Sequence, residues 1–342
     1  MKKILITGAA GFIGFHTTRK LISLGYEVLG LDSLLSYYDV RLKFSRLAEL
    51  GIVPASVRDE EKAESILHKN FHFLKQDLSS RDNIMELFSK EKFDGVIHLA
   101  AQAGVRESIT NPYQYIDSNI NGFITILEGC RHHAIQNLVF ASSSSVYGNN
   151  KKVPFSESDP VDHPISLYAA TKKSDELMAY TYSHLYQIPI TALRFFTVYG
   201  PWGRPDMAYF KFVKSILNGD TIEVYNQGNL YRDFTYIDDV VGGILKVLVN
   251  IPDSIPPNRI LNIGNSSPVK LMEFIGIIET LLNTKAKMKH LPMQAGDVYK
   301  TYADVDQLNE LVGFKPKTNI RKGLKLFIDW YLNYYKANNS LF

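Results

Sequence analysis

Short apolar runs alternate along the chain with segments whose apolar residues return every three or four positions, so strands and helices are predicted to take turns. Residues 2–7 read as a buried strand. Phe12, Ile13, Thr17, Leu21 and Ile22 then recur at helical spacing, and Gly25 stops that helix. A second strand covers 27–31 and ends at Asp32. Residues 33–70 are polar and irregular in pattern. Further strands are predicted over 71–75, 94–101, 137–143 and 190–196, with helices over 81–90 and 113–133. This alternation predicts an α/β fold, a doubly wound parallel sheet covered on both faces.

Past Tyr199 the pattern changes. Two prolines and two glycines within residues 200–206 exclude regular structure there. A helix over 210–217 and a strand over 221–225 follow, and 233–250 reads as a return to the sheet. A smaller C-terminal lobe is therefore expected, with a cleft at the carboxyl ends of the strands.

The turn after the first strand is Gly8-Ala-Ala-Gly11-Phe12-Ile13-Gly14. A strand that turns sharply into a helix, with a pyrophosphate against bare backbone at the helix N-terminus, leaves no room for side chains. Asp32 lies about 20 positions further on, where a carboxylate accepts a hydrogen bond from a ribose 2′-hydroxyl and repels a 2′-phosphate. The reading is NAD rather than NADP. The plainer reading of Asp32 is a turn residue after a strand.

Composition narrows the field. Of 342 residues 45% are apolar and 21% charged, with a net charge of +3, which carries no nucleic-acid argument. Cys130 is the only cysteine, so an intrachain disulfide and a zinc cluster are excluded, and a reducing, cytoplasmic compartment is expected. No metal site is expected. Met1-Lys2-Lys3 before an apolar stretch resembles a signal peptide, but no small-residue cleavage site follows and the stretch is too short to span a bilayer.

Tyr168 and Lys172 stand four apart at the start of a predicted helix and so share one face. A nearby ammonium and the positive nicotinamide ring of bound NAD favour the phenolate, which makes a tyrosine usable as a base. Tyr147 and Lys151 have the same spacing, but the Gly-Asn-Asn between them is turn chemistry. Ser142 to Ser145 follow the fifth strand, where a hydroxyl can share a proton with the tyrosine; a serine-rich turn is the plainer reading for at least two of them.

Taken together, the glycine turn, His98-Leu-Ala-Ala-Gln102, Ser118-Asn119, 141–148, 167–173, 194–204 and 232–238 resemble the extended short-chain dehydrogenase/reductases that act on nucleotide sugars. The likeness covers nearly the whole chain. It is nearest to the UDP-glucuronate 4-epimerases, through 100–106 and 201–207. The resemblance implies a Rossmann-type NAD-binding domain (1–191 and 233–264) and a UDP-sugar-binding lobe (192–232 and 265–342). It implies Tyr168 as base, Lys172 as its partner on the nicotinamide ribose, and Ser143 as the triad hydroxyl. Cofactor contacts are implied for Gly8, Gly11, Phe12, Ile13, Gly14, Asp32, Asp77, Leu78, Ala100, Ala101, Gln102 and Asn119, together with Tyr168 and Lys172. Arg232 matches the arginine on the UDP diphosphate, and Asp297 an acid that meets the distal ribose or the sugar. Gln294 stands where many UDP-hexose epimerases carry arginine.

Arg204, in the rigid loop after the sixth strand, is expected to bind a carboxylate on C5 of the sugar, with Thr197 and Ser144 or Ser145 adding hydroxyls. The plainer reading of Arg204 is a loop-bracing pair with Asp206. The expected reaction interconverts UDP-glucuronate and UDP-galacturonate through a transient 4-keto sugar on tightly bound NAD. The rivals are a 4-epimerase of another UDP-sugar, such as UDP-N-acetylglucosamine, and a UDP-sugar dehydratase or decarboxylase. The latter two typically place an acidic residue where Ser144 and Ser145 stand. A silent nucleotide-sugar or NAD sensor is the reading from another class, and the intact Ser143, Tyr168 and Lys172 set speaks against it. Helices 113–133 and 168–186 carry more apolar residues than one buried face needs, and related enzymes pair them into a four-helix bundle, so a homodimer is expected. No nucleic-acid or membrane partner is expected.

Overall fold

The computed structural model describes residues 2–294 and 296–337. The chain runs through β1 (Lys3–Thr7), α1 (Phe12–Ser23), β2 (Glu27–Asp32), α2 (Val40–Glu49), β3 (Lys62–Glu64), β4 (Phe71–Lys75), α3 (Arg81–Glu91) and β5 (Gly95–His98). Two short helices, α4 (Glu107–Thr110) and α5 (Pro112–Tyr115), lead through a π-helical stretch, Ile116–Asn121, into α6 (Gly122–His132). Then come β6 (Asn137–Ser143), α7 (Leu167–Tyr186), β7 (Ile190–Phe195), β8 (Thr197–Tyr199), α8 (Ala208–Asn218), β9 (Thr221–Val224) and β10 (Tyr231–Tyr236). The order ends with α9 (Ile237–Val249), β11 (Asn258–Ile263), β12 (Pro268–Lys270), α10 (Leu271–Leu282), β13 (Lys287–His290), α11 (Asp306–Val312) and α12 (Ile320–Ala337).

The large sheet has the order β11-β7-β6-β5-β1-β2-β4-β3, parallel throughout except where β3 meets β4. The chain steps outward from β1 through β2 to β4, then returns to pair β5 on the other side of β1. That reversal opens a crevice beyond the carboxyl ends of β1 and β5. Successive side chains face opposite cores. Leu5, Val96, Leu138 and Phe140 pack with residues of α3 and α6, whereas Ile4, Ile6, Ile97 and Val139 pack with residues of α1 and α9. Burial on both faces is why these strands read as unbroken apolar runs. The fold is thus a Rossmann-type doubly wound α/β sheet, joined by the smaller sheets β12-β10-β8 and β13-β9.

Three expectations change. Residues 33–70 are not irregular throughout: they hold α2, a 3-10 turn at Pro54–Ser56 and the edge strand β3. Helix α2 escapes the apolar pattern because two of its four buried residues, Lys43 and Arg46, read as surface charges. Residues 233–250 do not rejoin the large sheet. β10 pairs with β8 and β12, α9 packs on α1, and the returning strand is β11. The strand expected over 94–101 ends at His98, which leaves 99–102 as a loop over the crevice. Among the described residues no helix is long and apolar enough to cross a membrane.

Candidate active site

At the end of β1 the chain turns through Gly8, at φ 71°, into α1. A Cβ on Gly8 would lie 2.8 Å from the Ala100 amide nitrogen, and one on Gly14 2.0 Å from the Gly8 carbonyl oxygen. Any larger residue would push the turn away from β5 or from its own helix. Gly11 is the N-cap of α1 and offers no side chain to the first-turn amides. The N–H groups around Phe12 and Ile13, with the positive end of the helix dipole, face the crevice. Bare backbone and an uncapped helix fit a dinucleotide pyrophosphate.

Asp32, buried at the end of β2, accepts from the backbone N–H of Ala10 at 3.2 Å and of Leu34 at 2.8 Å. Its Oδ1 also accepts from Lys43 Nζ at 3.2 Å, a partner that residue spacing did not reveal. Asp77 is exposed and accepts from the Ser79 amide and hydroxyl, each at 2.8 Å, while Leu78 is buried against Gly122. The Ala100 N–H donates to Thr7 Oγ1 at 3.2 Å, and the Thr7 hydroxyl lies 2.8 Å from His98 Nδ1. Burial holds His98 down to about 3, with the charge of Lys172 adding to the shift, so its imidazole is neutral. Half-buried Ala101 leads into Gln102, whose backbone exchanges hydrogen bonds with the Asn119 amide at 2.8 and 3.1 Å. Asn119 also donates to Thr171 Oγ1 at 3.0 Å and so ties this loop to α7. It stands in the π-helical stretch, where the extra residue per turn re-aims a side chain.

Ser166 caps α7 by accepting from the Ala169 N–H at 3.1 Å, which places Tyr168 in the first turn. The Tyr168 ring is half-buried and meets Tyr115 edge-on at 6.2 Å. Lys172 is buried one turn on, and its ammonium sits 3.0 Å from Asp175 Oδ2. That carboxylate is a partner the spacing of Tyr168 and Lys172 did not announce. Burial pushes Asp175 up to about 6 despite the lysine. Ser143, nearly buried at the end of β6, accepts from the Ser145 N–H and donates to Ser145 Oγ, both at 3.2 Å. Ser144 and Ser145 are half-exposed. Ser142 turns the other way and donates to Glu176 at 2.7 Å. Glu176 takes Arg194 in a bidentate pair at 2.8 and 2.9 Å, so Ser142 belongs to the framework.

The loop after β8 carries Arg204. Its Nε and Nη2 donate to the two carboxylate oxygens of Asp206 at 3.0 and 2.5 Å, and the guanidinium lies over the Tyr37 ring at 5.6 Å. This is the geometry of the loop-bracing reading. The guanidinium holds the Asp206 carboxyl below its ordinary range, and burial beside Asp206 pushes the Tyr37 phenol up to about 12. An open cleft lined by Leu35, Ser36, Tyr37, Glu107 and Gln114 runs alongside. Among the described residues no hydrogen bond joins Arg204 to half-buried Thr197 or to Ser144 and Ser145. The loop is anchored from behind by Arg46, which is fully buried. It donates to the carbonyls of Trp202 and Gly203, to Tyr38 Oη and to the Ala10 carbonyl in the glycine turn.

A fourth group lies on β10 and residues 296–300. Asp297 Oδ1 is 3.8 Å from Arg232, and its Oδ2 is 3.4 Å from Arg106. Burial holds the Arg232 guanidinium below its ordinary range. Two arginines against one carboxylate leave a net positive site, suited to a diphosphate. Arg106 was legible only as one residue of the 100–106 run. The structure therefore gathers the expected residues into a dinucleotide turn, a Ser-Tyr-Lys group, an Arg204 loop and an Arg232 cluster, and adds Lys43, Arg46, Arg106 and Asp175.

Known proteins resemble this chain along nearly its whole length. The chain is 53% identical to Protein CapI of Staphylococcus aureus, over 98% of this chain and 99% of that one. It is 44% identical to a probable UDP-glucuronate 4-epimerase of Rhizobium meliloti, over 99% and 100%. Its fold matches the crystal structure of UDP-glucuronic acid 4-epimerase from Bacillus cereus in complex with UDP-glucuronic acid and NAD. The TM-score is 0.86 at 31% identity, over 97% of this chain and 100% of the other. Residues 4–264, which hold the glycine turn, Ser143, Tyr168, Lys172, Arg204 and Arg232, match the family model as well, and the chain belongs to the NAD dependent epimerase/dehydratase family.

Proposed function

We propose that this protein interconverts UDP-glucuronate and UDP-galacturonate by inverting C4 of the sugar. Its family and relatives make it an NAD-dependent UDP-sugar epimerase; the proposal narrows the sugar to a uronic acid. One observation carries it: Arg204, a guanidinium able to fork a carboxylate, stands in a loop beside an open cleft. A loop built for that geometry suits a uronate and gives a neutral hydroxymethyl group no matching charge. The names of the Rhizobium meliloti and Bacillus cereus proteins support the same reading.

In this reading the residues divide the work as follows. Gly8, Gly11, Phe12, Ile13 and Gly14 hold the pyrophosphate, Asp32 a ribose hydroxyl, and Asp77 and Leu78 the adenine. Ala100, Ala101, Gln102 and Asn119 line the wall toward the nicotinamide, whose ribose Lys172 holds. NAD supplies a reversible hydride acceptor for C4. Tyr168 takes the proton of the 4-hydroxyl and later returns it, and Ser143 shares that hydrogen bond. Arg232, with Arg106, holds the diphosphate and Asp297 meets the distal ribose or the sugar, while the 4-keto sugar turns about its linkage to present the other face. The keto acid is prone to lose carbon dioxide. Arg204 and Thr197, with Ser144 or Ser145, keep the carboxylate bond out of line with the carbonyl π-system.

The division into an NAD lobe (1–191, 233–264) and a sugar lobe (192–232, 265–342) remains part of the proposal, as does a homodimer through α7 and the 112–132 helical segment. A UDP-sugar dehydratase or decarboxylase finds no carboxylate at Ser144 or Ser145. The test is purified protein with UDP-glucuronate and no added cofactor, followed by NMR. Formation of UDP-galacturonate is expected, and Tyr168→Phe lowers turnover by about 10³-fold. Conversion of UDP-N-acetylglucosamine instead, or full activity in the phenylalanine variant, refutes the reading.

A further inference from the structure

Lys172 does not stand alone beside its tyrosine. Its ammonium is 3.0 Å from Asp175 Oδ2, and both side chains are at most 2% exposed. Asp175 Oδ1 has no hydrogen-bond partner among the described residues, so Lys172 is what this carboxylate is aimed at. We propose that Asp175 tunes the reaction: it offsets part of the charge of Lys172 and so keeps the Tyr168 phenol more basic than the lysine alone would allow. This rests on the reading of Tyr168 as the group that accepts the sugar proton.

The groups around the pair are neutral or already paired, and Glu176 alone adds its charge to the rise of the Asp175 carboxyl. From β5 comes His98, neutral because burial holds it down to about 3. From α5 comes Tyr115, whose phenol burial pushes well above its ordinary range, so it stays protonated. On α7 itself Glu176 follows Asp175, but it is committed to Arg194 and Ser142, and Lys173 lies on its outer side at 3.9 Å. Asn119 and Thr171, bonded to each other, add no charge. Burial pushes Asp175 up to about 6, so it is ionised at neutral pH. A buried anion 3.0 Å from the lysine ammonium offsets its charge in a medium that screens poorly. The consequence is a base that holds its proton more firmly once it has taken it from the sugar.

Asp175→Asn keeps the shape and an oxygen acceptor for Lys172 and removes the charge. The rising limb of the kcat–pH profile is expected to move to lower pH by about one unit. In protein carrying ¹³C-tyrosine, the Tyr168 resonance, identified by its loss in Tyr168→Phe, titrates lower by the same amount. Asp175→Glu, which keeps the charge, leaves both near their original positions. A profile and a resonance in Asp175→Asn that superimpose on those of the unaltered protein, or move to higher pH, overturn the inference. Should that variant not fold, the unaltered protein carries the test. The Tyr168 resonance must respond when the Asp175 carboxyl titrates, and indifference overturns it equally. If Tyr168→Phe stays active, the reading of the base fails; if it is dead and Asp175→Asn is silent, only the present inference fails.

Discussion

Arg204 is held by Asp206 in a bidentate fork, and under the proposed function a sugar carboxylate would compete for that fork. The competition makes the arginine a selectivity device as much as a grip, because only a second carboxylate replaces what Asp206 supplies. Arg204→Ala is therefore expected to lower kcat/KM for UDP-glucuronate by roughly 100-fold and to raise UDP-glucose turnover relative to it. Unchanged selectivity in steady-state assays with both sugars refutes the role. At this scale the sequence was most readable where chemistry depends on near neighbours. Gly8 and Gly14 follow from one turn, Tyr168 and Lys172 from one helical repeat, and the Arg204–Asp206 brace from a two-residue gap. Lys43 on Asp32, Arg46 on Trp202 and Arg106 on Asp297 reach across 11, 156 and 191 residues, distances over which no local pattern runs.

Helix α7 shows the same division one level up. Its inner face is legible through Ala169, Lys172, Glu176, Ala179 and Ser183, all buried at helical spacing. Tyr182 donates to Glu128 at 2.7 Å, and Arg131 stacks on Tyr186 at 4.1 Å, so α6 and α7 are stapled side by side. The outer face keeps Leu177, Tyr180 and Leu185 exposed at 57%, 51% and 60%, beside Tyr113 at 82% on α5. Such a surface is costly in water and fits a second copy of the same helices. Leu177→Glu combined with Tyr180→Glu is expected to convert a dimer to a monomer in light scattering, while the far-ultraviolet circular dichroism stays the same. A monomer before substitution refutes the pairing. The π-helical stretch and α2 stayed hidden for opposite reasons. A π-turn barely disturbs helical periodicity, and α2 conceals its burial behind Lys43 and Arg46.

For the molecule as a whole, four buried titratable groups pull against one another. Burial holds His16 and His98 down to about 3, against an ordinary 6.5, so the stability they contribute is complete above 6.5 and is lost as pH falls toward 3. Asp175 and Asp233 are pushed up to about 6 by burial, against an ordinary 3.8, so the native state takes their protons first and gains stability as pH falls through that window. Two protons each way nearly cancel between about pH 6 and pH 4. Below that the imidazoles are joined by carboxyls that ion pairs hold low, Glu91, Asp159 and Asp206 among them. The urea midpoint is therefore expected to be nearly level from about pH 6 to pH 4 and to drop beneath it. In Asp175→Asn stability already declines across the level region, by about 1.4 kcal/mol per pH unit. A level region retained in that variant contradicts the balance.

Arg46 has an implication for anyone who wishes to retarget this scaffold. One guanidinium fastens the carbonyls of Ala10, Trp202 and Gly203. A transplanted specificity loop from a cousin enzyme would thus arrive without its fastener unless residue 46 and its helix travelled with it, and the first casualty of a careless graft would be the nucleotide cradle on the far side.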